Sequence, residues 1–354
     1  MPSTSFVPPT WRSAARTASA IAVVLGLSIV AWQVVPASGS RHVGPAATDR
    51  PVASAPAGAS PTGPLVPPAG VLLGAFVSTT GTGWSADDVA ARERQLGRRF
   101  DIDHRFQNWT TAFPTFADSW DVQSGRIPMV TWQPNTTTLD AINHGSADEL
   151  IRARARDVAN FGHPIFLRFG HEMNANWYPW TGVRNNTPGR HDGPTKYVAA
   201  WRHLHDLFVA AGATNTVWVW CPNRSSVPNT RWNGAANYYP GDAYVDWVCV
   251  DGYNRTASKW RTFGELFSNF SAPHAARKPI MIGETASVEG ATEDRKAAWI
   301  NDARRATETK FPAVAAFVWF DTRKQGLDWR IDSSPSSLAA FQALGLDPYF
   351  HTRP

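Results

Sequence analysis

Eight short apolar runs, spaced by stretches mostly long enough for a helix, set the strongest constraint on this chain. They begin at residues 71 (VLLGAFV), 100 (FDIDHRF), 127 (IPMVTW), 164 (PIFLRF), 216 (TVWVW), 244 (YVDWVCV), 279 (PIMIG) and 313 (AVAAFVWF). Most are β-branched or aromatic with little polar alternation, the pattern of strands buried on both faces of a parallel sheet. Between them lie helix-like segments, among them 85–97, 147–160 and 195–211. Ser85 suits an N-cap, with Asp87 and Asp88 in the first turn where the helix dipole favours them, and Gly97 and Gly212 suit helix ends. Eight strand–helix units in about 280 residues predict an α/β (β/α)8 barrel, a TIM barrel, over 71–354. A doubly wound sheet is the alternative. A barrel would place its chemistry at the C-terminal ends of the strands. The longest interval follows the fourth run, so that loop should cover part of the cleft.

The first seventy residues are of another kind. Residues 19–35 (SAIAVVLGLSIVAWQVV) carry no charge and follow Arg12 and Arg16, which is the layout of an export signal or a membrane anchor. The segment 1–35 is therefore expected to be a signal peptide or anchor. Residues 36–70 are rich in Pro, Ala, Ser and Gly and are expected to form a disordered linker, because they have little apolar surface to offset ordering entropy. The expected location is extracellular or at the cell surface, with a possible membrane tether. Of the net charge of +5, four Arg and one Asp in 1–70 account for +3. The remaining +2 is too balanced for a nucleic-acid footprint. Two cysteines cannot build a disulfide scaffold.

The predicted strand ends carry the informative residues. Run four continues as Arg168-Phe-Gly-His171-Glu172-Met-Asn174-Ala-Asn176-Trp177-Tyr178-Pro-Trp180, and run seven ends Ile282-Gly283-Glu284-Thr285. Runs five, six and eight end at Cys221-Pro222-Asn223, Asp251-Gly252-Tyr253-Asn254 and Trp319-Phe320-Asp321. Two carboxylates facing each other across an aromatic barrel mouth are what glycosidic cleavage needs: one protonated to release the leaving oxygen, one ionised to attack or stabilise the anomeric carbon. Aromatic faces suit the C–H faces of sugars, and Asn, Arg and His suit the hydroxyls. A bland reading of either Glu alone is a structural ion pair.

The block RFGHEMNANWYPW, with PIMIGETAS downstream and Trp319-Phe320 on run eight, resembles glycoside hydrolase family 26 over roughly residues 71–345. The resemblance implies a retaining (β/α)8 enzyme that cleaves β-linked polysaccharide, with β-1,4-mannan first, and mixed-linkage β-glucan or the producer's own exopolysaccharide as alternatives. It implies Glu172 as acid/base and Glu284 as nucleophile. It further implies His171 beside the acid/base, Tyr253 on the nucleophile, Trp177 and Trp319 stacking on sugar, Arg168 orienting the carboxylates, and His104 and Trp132 as subsite walls. Asn174 is a further substrate-binding candidate. A non-catalytic polysaccharide-binding barrel is the competing class, which the presence of both carboxylates disfavours. No cofactor or metal is implied, and a monomer is expected.

Other signals compete with this reading less well. Gly81-x-Gly83-x-x-Ala86 matches a dinucleotide fingerprint, but Asp87 and Asp88 occupy the helix start where a phosphate would bind. Trp84 is instead expected to flank the cleft. His171-Glu172 opens like a zinc helix, yet Ala175 stands where the second His belongs. Cys221 and Cys249 fall on neighbouring strands, either as a disulfide or as two buried thiols. Trp109, Trp201 and Trp218 are expected to pack rather than to bind.

Overall fold

The computed structural model describes residues 62–350 except 82, 269, 271–276 and 293. Parallel strands β1 (Leu72–Ser78), β2 (Ile102–Asn108), β3 (Ile127–Gln133), β4 (Ile165–Phe169), β5 (Thr216–Trp220), β6 (Trp247–Asn254), β7 (Ile280–Ser287) and β8 (Val314–Lys324) lie in chain order. β8 pairs back onto β1 from Leu72↔Ala316 to Ser78↔Thr322, which closes the sheet. The expected (β/α)8 barrel is thus the fold. A two-residue strand, β9 (Leu327–Asp328), folds back antiparallel on the end of β8.

Helices α1 (Ala86–Leu96), α2 (Phe116–Gln123), α3 (Leu139–Asn143), α4 (Asp148–Phe161), α5 (Gly182–Asn185), α6 (Gly193–Ala210), α7 (Phe263–Phe267), α8 (Arg295–Thr309) and α9 (Pro335–Gly345) fill the connections. Ser85 caps α1 by accepting from Asp88 N–H at 3.1 Å, and Gly97 ends it at φ 77°. The β5–β6 connection departs from the repeat: it holds three 3₁₀ turns and no α-helix. Pro222, Pro228 and Pro240, with Gly234 and Gly241, leave it no uninterrupted helical run.

Alternation along the strands divides two apolar layers. Ile102, Met129, Phe166, Val219, Trp247, Met281 and Val318 fill the barrel interior. Leu73, Val130, Leu167, Trp218, Val248, Ile282 and Phe317 belong to the outer layer with the helices. The interior is tight: a Cβ on Gly74 would lie 2.7 Å from Ile102 Cβ. Outside the sheet, the buried Arg105 guanidinium binds Asp103 on its own strand at 2.8 Å and Asp118 of α2 at 2.6 Å, tying helix to strand.

The expected leader, 1–35, and most of the expected linker, 36–70, lie outside the described residues. The last part of that linker is folded rather than free. Leu65 and Val66 pack under the interior cluster, and Pro64 C=O accepts from Trp247 Nε1 at 2.8 Å at the N-terminal end of β6. Two apolar side chains and a buried indole partner are enough to hold this short stretch. No helix among the described residues is long and apolar enough to cross a membrane.

Candidate active site

The site is assembled at the C-terminal ends of the strands. A cleft of about 590 Å³ is lined by Glu172, Trp177, Tyr178, Asn223, Arg224, Ser225, Tyr253, Arg255, Glu284, Phe320, Lys324, Gln325 and Trp329. Both carboxylates singled out in the sequence line this one cavity.

Glu172 follows β4 through a left-handed turn, with Gly170 at φ 52° and Glu172 itself at φ 53°. That region disfavours a side chain with Cβ, so the surroundings must hold it. They do: Glu172 N–H donates to Cys221 C=O at 2.8 Å, and its own C=O accepts from Ala175 N–H at 2.9 Å. The carboxyl accepts from Trp177 Nε1 at 2.8 Å. Burial, then the charge of Glu284, raises its pKa to about 7.

Glu284 reaches the cleft by another route. The register of β7 against β6 runs Val250↔Ile282 and then Asp251↔Glu284, so Gly283 is the extra residue of a bulge. A bulge flips the parity of the residues beyond it and brings Glu284 level with inward-facing Asp251. Gly283 is required here because a Cβ would collide with Cys249 Sγ. Glu284 is ion-paired with Arg168 and accepts from Tyr253 Oη at 2.5 Å.

Arg168 is the hub. Fully buried, it donates to both oxygens of Asp251 at 2.9 Å, to Glu284 and to Thr131 Oγ1 at 2.7 Å. Burial alone would lower its pKa, but Asp251 and Glu284 together raise it. Its partner Asp251 is raised well above the usual range by burial, with Glu284 and Glu172 adding to the shift and Arg168 opposing it. Asp251 was not among the candidates. A sequence signal existed, since it sits on the inward side of β6 two residues before Tyr253. Beneath this layer Cys221 and Cys249 are joined as a disulfide, and Cys221 Sγ lies 3.1 Å from Asp251 Oδ1.

The remaining candidates divide. Trp177, 45% exposed, and Tyr253 line the cleft as expected. His171 is buried among Phe106, Tyr178 and Trp180, and burial lowers its pKa well below the usual range. His104 is likewise buried below the cleft, where Nε2 meets Thr131 Oγ1 at 2.7 Å and Arg168 at 3.2 Å. It supports the hub and is not a wall.

Asn174 is committed to structure. Its amide donates to Asn223 C=O at 2.8 Å and accepts from Asn223 N–H at 2.9 Å, which clips the β4 loop to the β5 loop. Trp132 and Trp319 are corrections to the expected sugar contacts. Both have outward parity and are fully buried in the outer layer. Trp132 stacks on Trp109 at 4.3 Å, and Trp319 packs on Phe341 and donates to Trp329 C=O at 2.9 Å. Trp84 also turns away from the cleft, with Nε1 on Asp103 at 2.7 Å. The cleft aromatics are Trp177, Tyr178, Tyr253, Phe320 and Trp329. Phe320 adjoins Trp319 on β8, and an apolar run does not show which of the two faces the cleft. Trp329 lies beyond β8 after a reverse turn that the sequence pattern does not place. Trp109, Trp201 and Trp218 pack as expected.

Comparison with known proteins gives the family and the fold. Residues 105–296, more than half of the chain, match Glycosyl hydrolase family 26. Endoglucanase H of Acetivibrio thermocellus is 38% identical over 286 residues, covering 78% of this chain. The aligned part spans only 30% of that relative's length. A mannan endo-1,4-beta-mannosidase of Bacillus subtilis is 24% identical over 52% of this chain and 45% of its own. Among solved structures, a GH26 beta-mannanase from Bacteroides ovatus has the same fold, with a TM-score of 0.60 at 18% identity over 80% of this chain and 90% of that one. The family match over more than half of the chain, on a closed (β/α)8 barrel, shows that the chain belongs to glycosyl hydrolase family 26.

Proposed function

We propose that the chain hydrolyses a β-linked polysaccharide with retention of configuration, Glu172 acting as acid/base and Glu284 as nucleophile. One observation carries this reading. A carboxyl raised to about 7 and a carboxylate salt-bridged to a buried arginine line the same aromatic cleft. Environments that differ in this way assign the roles of acid and nucleophile.

In the first step a Glu284 oxygen attacks the anomeric carbon as the bond to the leaving oxygen breaks, and Glu172 gives that oxygen its proton. In the second, Glu172 takes a proton from water, whose oxygen displaces Glu284 from the anomeric carbon. Arg168 and Tyr253 hold the nucleophile in place, and Trp177 offers a platform beside the acid. This chemistry requires the carboxyl groups to stand roughly 5–5.5 Å apart, whereas inversion would need about 6.5–9.5 Å.

The sequence put β-mannan first among backbones. The identity of 38% to a protein named endoglucanase, against 24–29% to those named mannosidases, moves β-glucan ahead. Reducing-end release from mixed-linkage β-glucan and β-1,4-mannan tests the choice; activity on neither would refute the hydrolase assignment to these polymers. We also propose export through 19–35, which fractionation of the producing cells tests. Recovery with the soluble cytoplasm would refute it.

A further inference from the structure

We propose that the cleft takes a β-glycan bearing carboxylate groups, and that Arg224, Arg255 and Lys324 receive them. The inference rests on the hydrolase reading above and narrows its substrate class.

Three cations from three strand ends converge on one cavity: Arg224 after β5, Arg255 after β6 and Lys324 closing β8. Among the described residues, none of them has a carboxylate within ion-pair distance. The contrast with their neighbours is direct, because Arg323 and Arg330 flank the same hairpin and both pair with Asp328. Within the cleft, Glu284 is engaged by Arg168 and Tyr253, and Glu172 by Trp177, with Arg168 and Arg255 acting on Glu172 by charge alone. Counting Glu172, Glu284 and Asp251 as ionised against Arg168 leaves two negative charges, and the three rim cations exceed them. Protonating Glu172 for catalysis widens the excess.

The rim cations are also held over the cavity. The Lys324 ammonium sits 5.5 Å from the Phe320 ring centre, and the Arg255 guanidinium sits 5.7 Å from Trp329 and 5.9 Å from Tyr253. At such distances a ring face attracts a cation and restrains it. Arg255 also reaches Gln325 Oε1 at 3.5 Å. Arg224 is half-buried against Gly252, where a Cβ would lie 2.9 Å from its Cδ. Burial and the nearby charge of Arg261 lower its pKa, the response of a cation without an anion. Asn223, Ser225 and Gln325 add neutral polar groups to the same rim. A neutral glycan would leave this excess unmet, whereas a uronate or an acidic substituent would meet it with charge-assisted hydrogen bonds.

The test compares, on the full chain, mixed-linkage β-glucan, β-1,4-mannan, and each polymer partly oxidised at C6 to uronate. A succinylated β-glucan arm separates a ring-borne carboxylate from a substituent. At low ionic strength the acidic form of the accepted backbone should show kcat/KM about tenfold above its neutral parent, the scale of one charged hydrogen bond. Salt should erode that preference, because Arg255 and Lys324 are exposed. The double variant Arg255→Gln, Lys324→Gln should lower the acidic-to-neutral ratio toward one, and a melting temperature verifies its fold. Hydrolysis of neutral polymers with no acidic preference would overturn this proposal and leave the hydrolase reading standing. If no polymer is cleaved, affinity electrophoresis in gels carrying the same polymers decides: salt-sensitive retardation by acidic forms alone supports the inference, and equal retardation overturns it.

Discussion

Past the end of β4 the backbone turns left-handed, whereas within β7 it stays extended and bulges. Both devices deliver a carboxylate to one cleft, but they place it in different company. Glu172 has burial, an indole N–H and the field of Glu284. Glu284 has a guanidinium and a phenol. The lesson is that two identical side chains on one barrel rim are made chemically unlike by what the adjacent strands bring.

The sharpest way to break this comparison is to remove the β7 carboxylate. Glu284→Ala should reduce kcat on the order of 10⁴-fold, because Glu172, the other carboxyl lining the cleft, serves as the acid. A loss under tenfold in steady-state hydrolysis would deny it the nucleophile's role. Glu172→Gln should reduce kcat by ~10²–10⁴-fold on a polysaccharide. The loss should be much smaller on an aryl glycoside whose leaving group needs no proton. Equal losses on both would mean that Glu172 is not the acid.

The raised pKa of Glu172 gives two pH readings. Activity on polysaccharide should fall as pH rises through about 7, where the acid form is lost. For stability, the folded pKa of about 7 lies above the ordinary value of 4.5. Below about 4.5 both states are protonated and nothing is lost. Between these values the folded state holds the extra proton, so stability declines as pH rises, and above about 7 the full penalty is present. Glu172→Gln should therefore melt higher than wild type at pH 8, with the gap closing by pH 4.5. A gap independent of pH would contradict the burial argument.

Smaller effects sharpen the comparison. Tyr253→Phe removes one donor from Glu284 and should reduce kcat/KM about 10–100-fold, the worth of a hydrogen bond to a charged group. An unchanged rate would mean that Arg168 alone holds the nucleophile. Last come two tryptophans with opposite signatures. Trp177→Ala should raise KM about tenfold, equivalent to ~1.4 kcal/mol of binding. Trp319→Phe should lower stability by about 1–2 kcal/mol in urea melts while KM stays put. A KM effect at Trp319 would restore it to the cleft.

Much of this was legible in the chain. Every strand lies within a few residues of its apolar run, because parallel strands buried on both faces announce themselves by composition. Glu172 and Glu284 were legible because the barrel directs attention to strand ends. What escaped was parity. On β3 and β8 the interior side is set by Met129 and Thr131, and by Ala316, Val318 and Phe320; Trp132 and Trp319 fall on the other side. In a run apolar on both faces, hydrophobicity does not say which face is which. The bulge at Gly283 was hidden for the same reason, since one extra residue in an apolar strand leaves no trace in the pattern. Asn174 was misassigned because an amide that clips two loops looks, in sequence, like one that meets a hydroxyl.

The most direct test of the central claim is the configuration of the first-formed product, followed by proton NMR during early hydrolysis of a soluble β-linked oligosaccharide. Double displacement through Glu284 requires the β-anomer to appear first and the α-anomer to grow in by mutarotation. An α-anomer formed first would mean a single displacement by water, and the roles given to the two carboxylates would be wrong.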